Sequence, residues 1–146
     1  MPSRDVSFNQ QYRTDYVSGQ VYALKRAVLL ERSSATSPEC CLKNPRQIYP
    51  LMDSITEWQR HPSRWPRVLG VMEAGTRIRI VKIVREDYVA LDTRCIVQAE
   101  VLDGRFRGRL VSLNWVSKQV EQPKPFARIP WVDPEQLDVV EEPQSK

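Results

Sequence analysis

The only histidine in the chain, His61, lies between Arg60 and Pro62 in a proline-rich stretch. Nucleophilic and acid–base catalysis need a nucleophile, a base and an orienting group that converge on one point. Cationic neighbours in a proline-rich loop do not favour that arrangement. The sequence also contains no paired-carboxylate motif, no glycine-rich phosphate loop and no Gly-x-Ser-x-Gly turn. We therefore predict a non-enzymatic protein with no catalytic residue and no cofactor.

Three cysteines, Cys40, Cys41 and Cys95, offer together with His61 the ligand types of a Cys₃His zinc site. The spacing argues against zinc, because structural sites usually place paired cysteines two to four residues apart. We predict no metal. In an exported protein one of the adjacent pair could form a disulfide with Cys95. In a reducing compartment all three would be thiols, with Cys95 filling the core.

Residues 57–67, EWQRHPSRWPR, interleave tryptophans with arginines. That composition is typical of interface hot spots and of base-stacking platforms. Tryptophans in such a loop can instead brace the fold, since a buried indole still finds a partner for its N–H group. Both interpretations stay open: binding requires an exposed Trp65, whereas bracing requires buried tryptophans. The candidate partner-binding residues are Trp58, Arg60, Arg64, Trp65 and Arg67.

A second candidate surface is a set of arginines at alternate positions. On neighbouring strands they would form a basic stripe of the kind that follows nucleic-acid phosphates. An ordinary charged sheet face is the competing interpretation, because Glu100 would lie opposite Arg107 and further acidic residues lie nearby in the sequence. The residues of the stripe are Arg77, Arg79, Arg105, Arg107 and Arg109.

The length of 146 residues, with 41% hydrophobic and 27% charged residues, fits a single globular domain. Residues 121–146 hold three basic and six acidic residues, which leaves 19 basic and 12 acidic residues, a charge of +7, in residues 1–120. We expect a flexible lead-in at 1–14, one β-barrel domain at 15–120 with an insertion at 33–66, and an extended, acidic, partly disordered tail. The basic domain suits an anionic partner or simple solubility.

Targeting signals are not evident in the sequence. No stretch approaches the roughly 18 apolar residues of a membrane span, and the first residues lack the apolar run of a signal peptide. If Met1 is the natural start, we expect a cytoplasmic protein. If it is not, an export signal has been removed.

The elements that must position these residues are mainly strands. Residues 17–32 predict one long bent strand, and a run rich in β-branched residues follows the turn at Ala74-Gly75. Pro50 predicts the start of a short helix that ends before His61-Pro62, with one face formed by Leu51, Ile55 and Trp58.

Asp103-Gly104 is the strongest short-range hairpin signal in the chain. A two-residue turn there pairs residues 95–102 with 105–110 and places Val101 beside Phe106. We then expect Phe106→Ala to cost about 3 to 5 kcal/mol if the ring is fully buried. The inward face would hold Cys95, Val97, Ala99, Val101, Phe106, Gly108 and Leu110.

Across residues 17–117 the chain resembles bacterial Src-homology-3-like barrels of exported proteins and lipoproteins. The residues that carry the resemblance are Gly19, Tyr22, Gly70, Ala74-Gly75-Thr76, Asp103-Gly104 and Gly108. The resemblance implies a small barrel of five or six antiparallel strands, interrupted here by a long proline-rich insertion. It also implies a binding or assembly module, often in the cell envelope.

The leading functional hypothesis is a non-catalytic module of the bacterial cell envelope that binds a protein partner, most directly through the insertion. It would lie in the periplasm or be anchored to the outer membrane, with a cytoplasmic protein as the alternative. A nucleic-acid-binding barrel that uses the arginine stripe is a second hypothesis. A third is an inhibitor or immunity-type partner of an exported protein.

Overall fold

The computed structural model describes residues 3–5, 14–34, 38–87, 93–122 and 127–140. Within these ranges the protein is mainly β, with eleven strands and one α-helix, α1, at Ile55–Arg60. The strands are β1 Ser3–Asp5, β2 Val21–Leu24, β3 Val28–Arg32, β4 Cys40–Lys43, β5 Val68–Met72, β6 Arg77–Asp87, β7 Thr93–Val101, β8 Leu110–Ser112, β9 Lys118–Gln122, β10 Ala127–Trp131 and β11 Leu137–Val140.

The strands hydrogen-bond in the order β11-β2-β6-β7-β8-β4-β3-β5, with β1 added to β6, and β10 to both β7 and β9. This hydrogen-bonded path is not closed. Only residues 25–27 separate β2 from β3, however, so the path curls back on itself around one shared core. Two of the pairings, β4 with β8 and β7 with β10, are parallel. The mainly β prediction is confirmed, whereas a closed barrel of five or six antiparallel strands is not what the described residues form.

The expected bent strand is present as β2 and β3. Its inward side chains are apolar and buried, while Lys25 and Arg26 at the bend are exposed. Residues 25–27 form the corner between β2 and β3, and both charged side chains there reach water. The corner allows β2 and β3 to pair with different strands of the sheet. The buried residues around the corner are Val21, Tyr22, Leu24, Val28 and Leu30.

Strand β6 is long because its β-branched residues suit a pleated surface. Ile78 and Ile80 point inward, and a bulge at Val81 then shifts the register so that Ile83 also points inward. Val81 itself is 40% exposed. The bulge therefore keeps one apolar face along β6, although the spacing between successive inward-facing isoleucines changes from two residues to three.

The hairpin between β7 and β8 is real, but the register predicted from Asp103-Gly104 is wrong. Glu100 pairs with Leu110, not with Arg107. The connection spans residues 102–109, because the Gly108 amide donates to the Val101 carbonyl at 2.8 Å and the Val101 amide donates to the Arg109 carbonyl. Glycines at both bends of this wider loop adopt positive φ angles.

This three-residue shift changes which side chains face the core. Val111 and Leu113 are buried, whereas Leu110, expected inside, is 50% exposed. Phe106 still reaches the core, from the loop rather than from a strand. The residues of β7 expected on the inward face are all buried, namely Cys95, Val97, Ala99 and Val101.

Phe106 lies against Gly70 of β5, where an added Cβ would be 2.8 Å from Phe106 Cζ. We expect Gly70→Ala to lower the free energy of unfolding by about 1 to 3 kcal/mol through overpacking. We expect Phe106→Ala to lower it by about 3 kcal/mol, since the ring keeps only slight exposure. In urea denaturation the double variant should lose less than the two losses added together, because removing the ring removes the clash. Strictly additive losses would contradict this contact.

Both ends of the described chain differ from the expected lead-in and tail. Strand β11 pairs with β2, and β10 carries the fully buried Ile129. The Thr14 hydroxyl donates to the Pro130 carbonyl, and Asp15 accepts from the Val132 amide at 2.7 Å. Residues 127–131 and 137–140 are therefore strands of the sheet, which corrects the expectation of an extended, partly disordered tail.

Candidate functional site

The proline-rich insertion forms a second small core on the outer face of β3 and β5. Strand β3 is apolar on both faces, so that Leu30 enters the main core and Leu29 faces the insertion. Helix α1 is capped by Ser54, whose hydroxyl accepts from the Glu57 amide. The buried residues of this outer core are Leu29, Ile48, Met52, Trp65 and Val68, with Ile55 and Trp58 against them.

The predicted start of the helix at Pro50 is wrong. The helix begins at Ile55, after the Ser54 cap, and ends before His61-Pro62 as expected. Leu51, placed on the apolar helix face by the sequence, is 58% exposed. Ile55 and Trp58 do share the face that packs on the sheet.

Trp65 is 2% exposed, and its indole N–H donates to the Pro50 carbonyl at 2.6 Å. Of the two interpretations that the sequence left open for Trp65, the structure fits bracing, because the binding interpretation requires this side chain to be exposed. Trp58 is partly buried against the same core, while Arg60 and Arg64 are exposed. Arg64 lies over the Trp65 ring, 5.2 Å from its centroid, so the structure packs the tryptophans of the predicted patch against the outer core and leaves Arg60 and Arg64 at the surface.

Arg67, the last member of that patch, contributes to a different feature. A groove with a volume of about 700 Å³ lies on the outer face of β7, β8 and β4, beside the insertion. It exists because alternate residues of these short strands point outward and the insertion covers only the neighbouring strands β3 and β5. Its floor and walls include Glu31, Cys41, Lys43, Gln98, Ser112 and Trp115.

A buried ion pair lies in the groove. Glu31 is 3% exposed, and its carboxylate is 2.7 Å from the Lys43 ammonium. Lys43 Nζ also lies 4.2 Å from the ring centroid of Trp115, a cation–π contact. The groove therefore holds a charge that water reaches poorly and that the lysine neutralises.

The two ends of the groove differ in chemistry. At the end where β4 begins, Arg67 donates to the Ser33 carbonyl at 3.1 Å and Arg109 donates to Cys40 Sγ at 3.5 Å. At the other end, where β4 finishes, Lys43 stacks on Trp115. Trp115 is 49% exposed, and its carbonyl accepts from the Gln47 side chain. One end is thus cationic and the other aromatic.

Cys41 lines the groove, but it is a poor nucleophile there. Burial is the main reason that the pKa of its thiol rises to about 11. The thiol is therefore protonated at neutral pH. Cys40 and Cys95 are buried thiols of the main core, so the disulfide alternative is not the state that the structure shows.

Neither metal binding nor histidine chemistry is supported at the groove. Within the described ranges no three His, Cys, Asp or Glu side chains are grouped to hold a metal ion. His61 is exposed at the carboxyl end of α1, and it is not among the residues that line the groove.

The arginine stripe is not a single strand face. Arg77 forms two side-chain bonds with the carboxylate of Asp103, at 2.8 and 3.0 Å, and Arg79 pairs with Glu100 across the sheet. The other three arginines lie in or beside the 102–109 loop, where Arg105 and Arg109 approach the Phe106 ring. The expected pairing of Glu100 with Arg107 is therefore wrong.

The Arg77–Asp103 contact predicts a pH dependence of stability. Its side-chain hydrogen bond is the main reason that the pKa of Asp103 is lowered to about 2. A carboxyl with a lowered folded-state pKa adds stability above its unfolded pKa and loses it as the pH falls through the folded value. We expect the melting temperature of Asp103→Asn to lie slightly below that of the wild type at pH 6, with the gap closing between about pH 4 and pH 2. A gap that stays constant over this range would contradict the pairing.

Sequence reasoning missed Glu31, Lys43 and Trp115. The one available signal is a glutamate directly after the apolar run Val28–Leu30 in a strand. Such a charge requires a partner when the strand is covered on both faces. The partner lies on β4 and the aromatic ring after β8, so neither is adjacent in sequence.

Comparisons with known proteins add no further assignment. No family model, no curated protein and no solved structure matches this chain. In the part of the chain that the structure describes, no helix has the length and apolar character needed to cross a membrane. Function is therefore inferred from the chemistry of the groove.

Proposed function

We propose that this chain is a non-catalytic binding domain that holds a segment of a protein partner in the groove along β4 and β8. The observation that carries the proposal is the groove itself, about 700 Å³ in volume, with half-exposed Trp115 and Leu110 and the arginines Arg67 and Arg109. Tryptophan and arginine are enriched among the residues that dominate protein interfaces. Two large apolar side chains in one groove also favour a partner that covers them.

The reactive groups in the groove favour binding over catalysis. The carboxylate of Glu31 is held by Lys43 and the thiol of Cys41 is protonated at neutral pH. A general base needs a pKa near the working pH and access to its substrate. The buried, ion-paired carboxylate has little access to a substrate, and the thiol has an unsuitable pKa.

Nucleic-acid binding is the second candidate, and one observation favours it. Arg105 and Arg107 are exposed around Phe106, which gives this loop a cluster of cations near an aromatic ring. The groove itself is less suited to a phosphate backbone, because Lys43 is already paired with Glu31 and Glu39 lines the groove together with Arg67 and Arg109. A protein partner therefore fits the groove better than a nucleic acid does.

The cell-envelope setting and the barrel family rest on the resemblance of residues 17–117. An inhibitor or immunity-type role would use the same groove. Reading the coding sequence upstream of Met1 tests the setting, since a signal peptide or lipidation site there supports export.

Affinity capture from source cells tests the binding function. The full chain, Trp115→Ala and the control Val139→Ala are used as baits at equal concentration; Val139 is 60% exposed on β11. We expect a protein retained by the wild type and by Val139→Ala but lost with Trp115→Ala. Leu110→Ser changes the other exposed apolar residue of the groove and should also lose the partner, which shows that the loss is not specific to the Trp115 variant. Equal retention by all baits with unchanged melting temperatures would contradict the proposal, and retention abolished by nuclease would favour the second candidate.

A further inference from the structure

The geometry of the groove points to one class of occupant, an inference that rests on the proposed binding function. We infer that the groove takes an extended acidic peptide segment. A carboxylate of the segment meets Arg67 and Arg109, and a large apolar side chain on the same face of the segment, two or four positions away, meets Trp115. This specifies the chemistry and the spacing of the partner, which the binding function alone does not.

The spacing follows from β4, which runs along the groove. The arginine end is marked by Cys40, whose sulfur accepts from Arg109, and the aromatic end by Lys43, whose ammonium stacks on Trp115. Three residues of extended chain span about 10 Å. An extended peptide alongside β4 covers that distance, and because its successive side chains point to opposite faces, two side chains that both enter the groove lie two or four positions apart.

The charge balance selects a carboxylate for the arginine end. Lys43 neutralises Glu31, which leaves Arg67 and Arg109 against Glu39 among the charged residues that line the groove. Arg105 and Arg107 in the adjoining loop add further positive charge next to Arg109. The groove is thus cationic where the peptide carboxylate would bind, and a basic segment would be repelled.

The two guanidinium groups can accept such a carboxylate. A guanidinium has five N–H donors in a fixed fork, which matches the two oxygens of a carboxylate. Each group makes one hydrogen bond at the rim, Arg67 to the Ser33 carbonyl and Arg109 to Cys40 Sγ. These bonds hold both groups at the same rim of the groove.

The aromatic end is suited to an apolar side chain. Lys43 lies over the Trp115 ring, yet about half of the indole remains exposed. The Gln47 side chain, which belongs to the insertion, donates to the Trp115 carbonyl at 2.7 Å. This hydrogen bond holds the backbone that carries the indole ring. A partner side chain that covers the exposed part gains apolar burial without moving this support.

Selection from a phage-displayed library of random heptapeptides on the immobilised full chain tests the inference. We expect the enriched peptides to carry Asp or Glu two or four positions from Trp, Phe or Leu. A fluorescein-labelled peptide of the most enriched sequence is then titrated by fluorescence polarisation. Arg67→Gln combined with Arg109→Gln should weaken binding about tenfold or more. The matched control, Arg60→Gln with Arg64→Gln, removes the same charge from exposed positions outside the groove and should leave Kd unchanged.

Several results would overturn the inference. They are enrichment of peptides without an acidic residue, another spacing between the anchors, equal loss in both double variants, or no enrichment above that seen on Trp115→Ala. Tighter binding of a labelled single-stranded oligonucleotide than of the peptide would also overturn it. If cellular capture depends on Trp115 while the peptides lack this pattern, the binding function stands and the inference alone fails.

Discussion

Replacing Trp65 with alanine is expected to lower the free energy of unfolding by about 3 to 5 kcal/mol, the range typical of buried tryptophan. The indole is 2% exposed at the centre of the outer core and donates to the Pro50 carbonyl at 2.6 Å. Truncation leaves a cavity against Leu29 and Met52 and removes the partner of a carbonyl. Urea denaturation followed by circular dichroism measures the loss.

Two further variants make this prediction specific. Tyr49→Ala, at an 87% exposed aromatic residue of the same insertion, should change the free energy of unfolding by no more than about 0.5 kcal/mol. Trp65→Phe keeps an aromatic ring but removes the N–H donor, so its loss should fall between those of the other two. If Trp65→Ala melted like Tyr49→Ala, the insertion would not be braced by this side chain.

Lys43→Met is expected to lower the free energy of unfolding by about 3 kcal/mol, because it leaves a buried carboxylate without its cation. The carboxylate is that of Glu31, which is 3% exposed, and the lysine is 12% exposed. Adding Glu31→Gln to this variant removes the orphaned charge. The double variant should therefore recover most of the loss in the same denaturation experiment.

A second ion pair of the same residue types supplies the control. Lys25 lies 3.3 Å from Asp138, with the two side chains 39% and 63% exposed. Lys25→Met should cost no more than about 1 kcal/mol, since an exposed pair contributes little. Equal losses for Lys25→Met and Lys43→Met, or a double variant no more stable than Lys43→Met, would contradict a buried charge in the groove.

The strands of the main core could be predicted because their signals are local. The β-branched run of β6, the apolar run of β5 and the alternation of β7 each indicate their own structure. The bend between β2 and β3 follows from two charged residues inside an apolar stretch. Each of these features depends on side chains close together in the chain.

The register of the β7–β8 hairpin could not be predicted from its turn residues. Asp103-Gly104 does form a bend, but the carboxylate of Asp103 binds Arg77, and Gly108 supplies a second positive-φ bend. Val111 and Leu113 follow the loop, and the register that the wider loop sets buries both side chains. The register of a two-residue turn would place them on the outer face. Burial of these apolar side chains outweighs the local turn preference.

The groove could not be predicted because it depends on contacts that are distant in sequence. Strand β4 pairs in parallel with β8, some 70 residues later in the chain. Only this pairing brings Arg109 beside Cys40 and Trp115 beside Lys43. The sequence does signal that something covers the outer face of β3, since three consecutive apolar residues at 28–30 indicate a strand covered on both faces. It does not identify Trp65 as the residue that covers it.

Site-specific photocrosslinking tests most directly whether the groove is the binding surface. A photoreactive phenylalanine analogue replaces Leu110 in the groove or, as a control of similar exposure, Val139 on β11. After irradiation in source cells, we expect a protease-sensitive adduct with one partner at position 110 and none with that partner at 139. The adduct should disappear when Trp115→Ala is added. The same adduct at both positions, or at 139 only, would contradict a partner held in this groove.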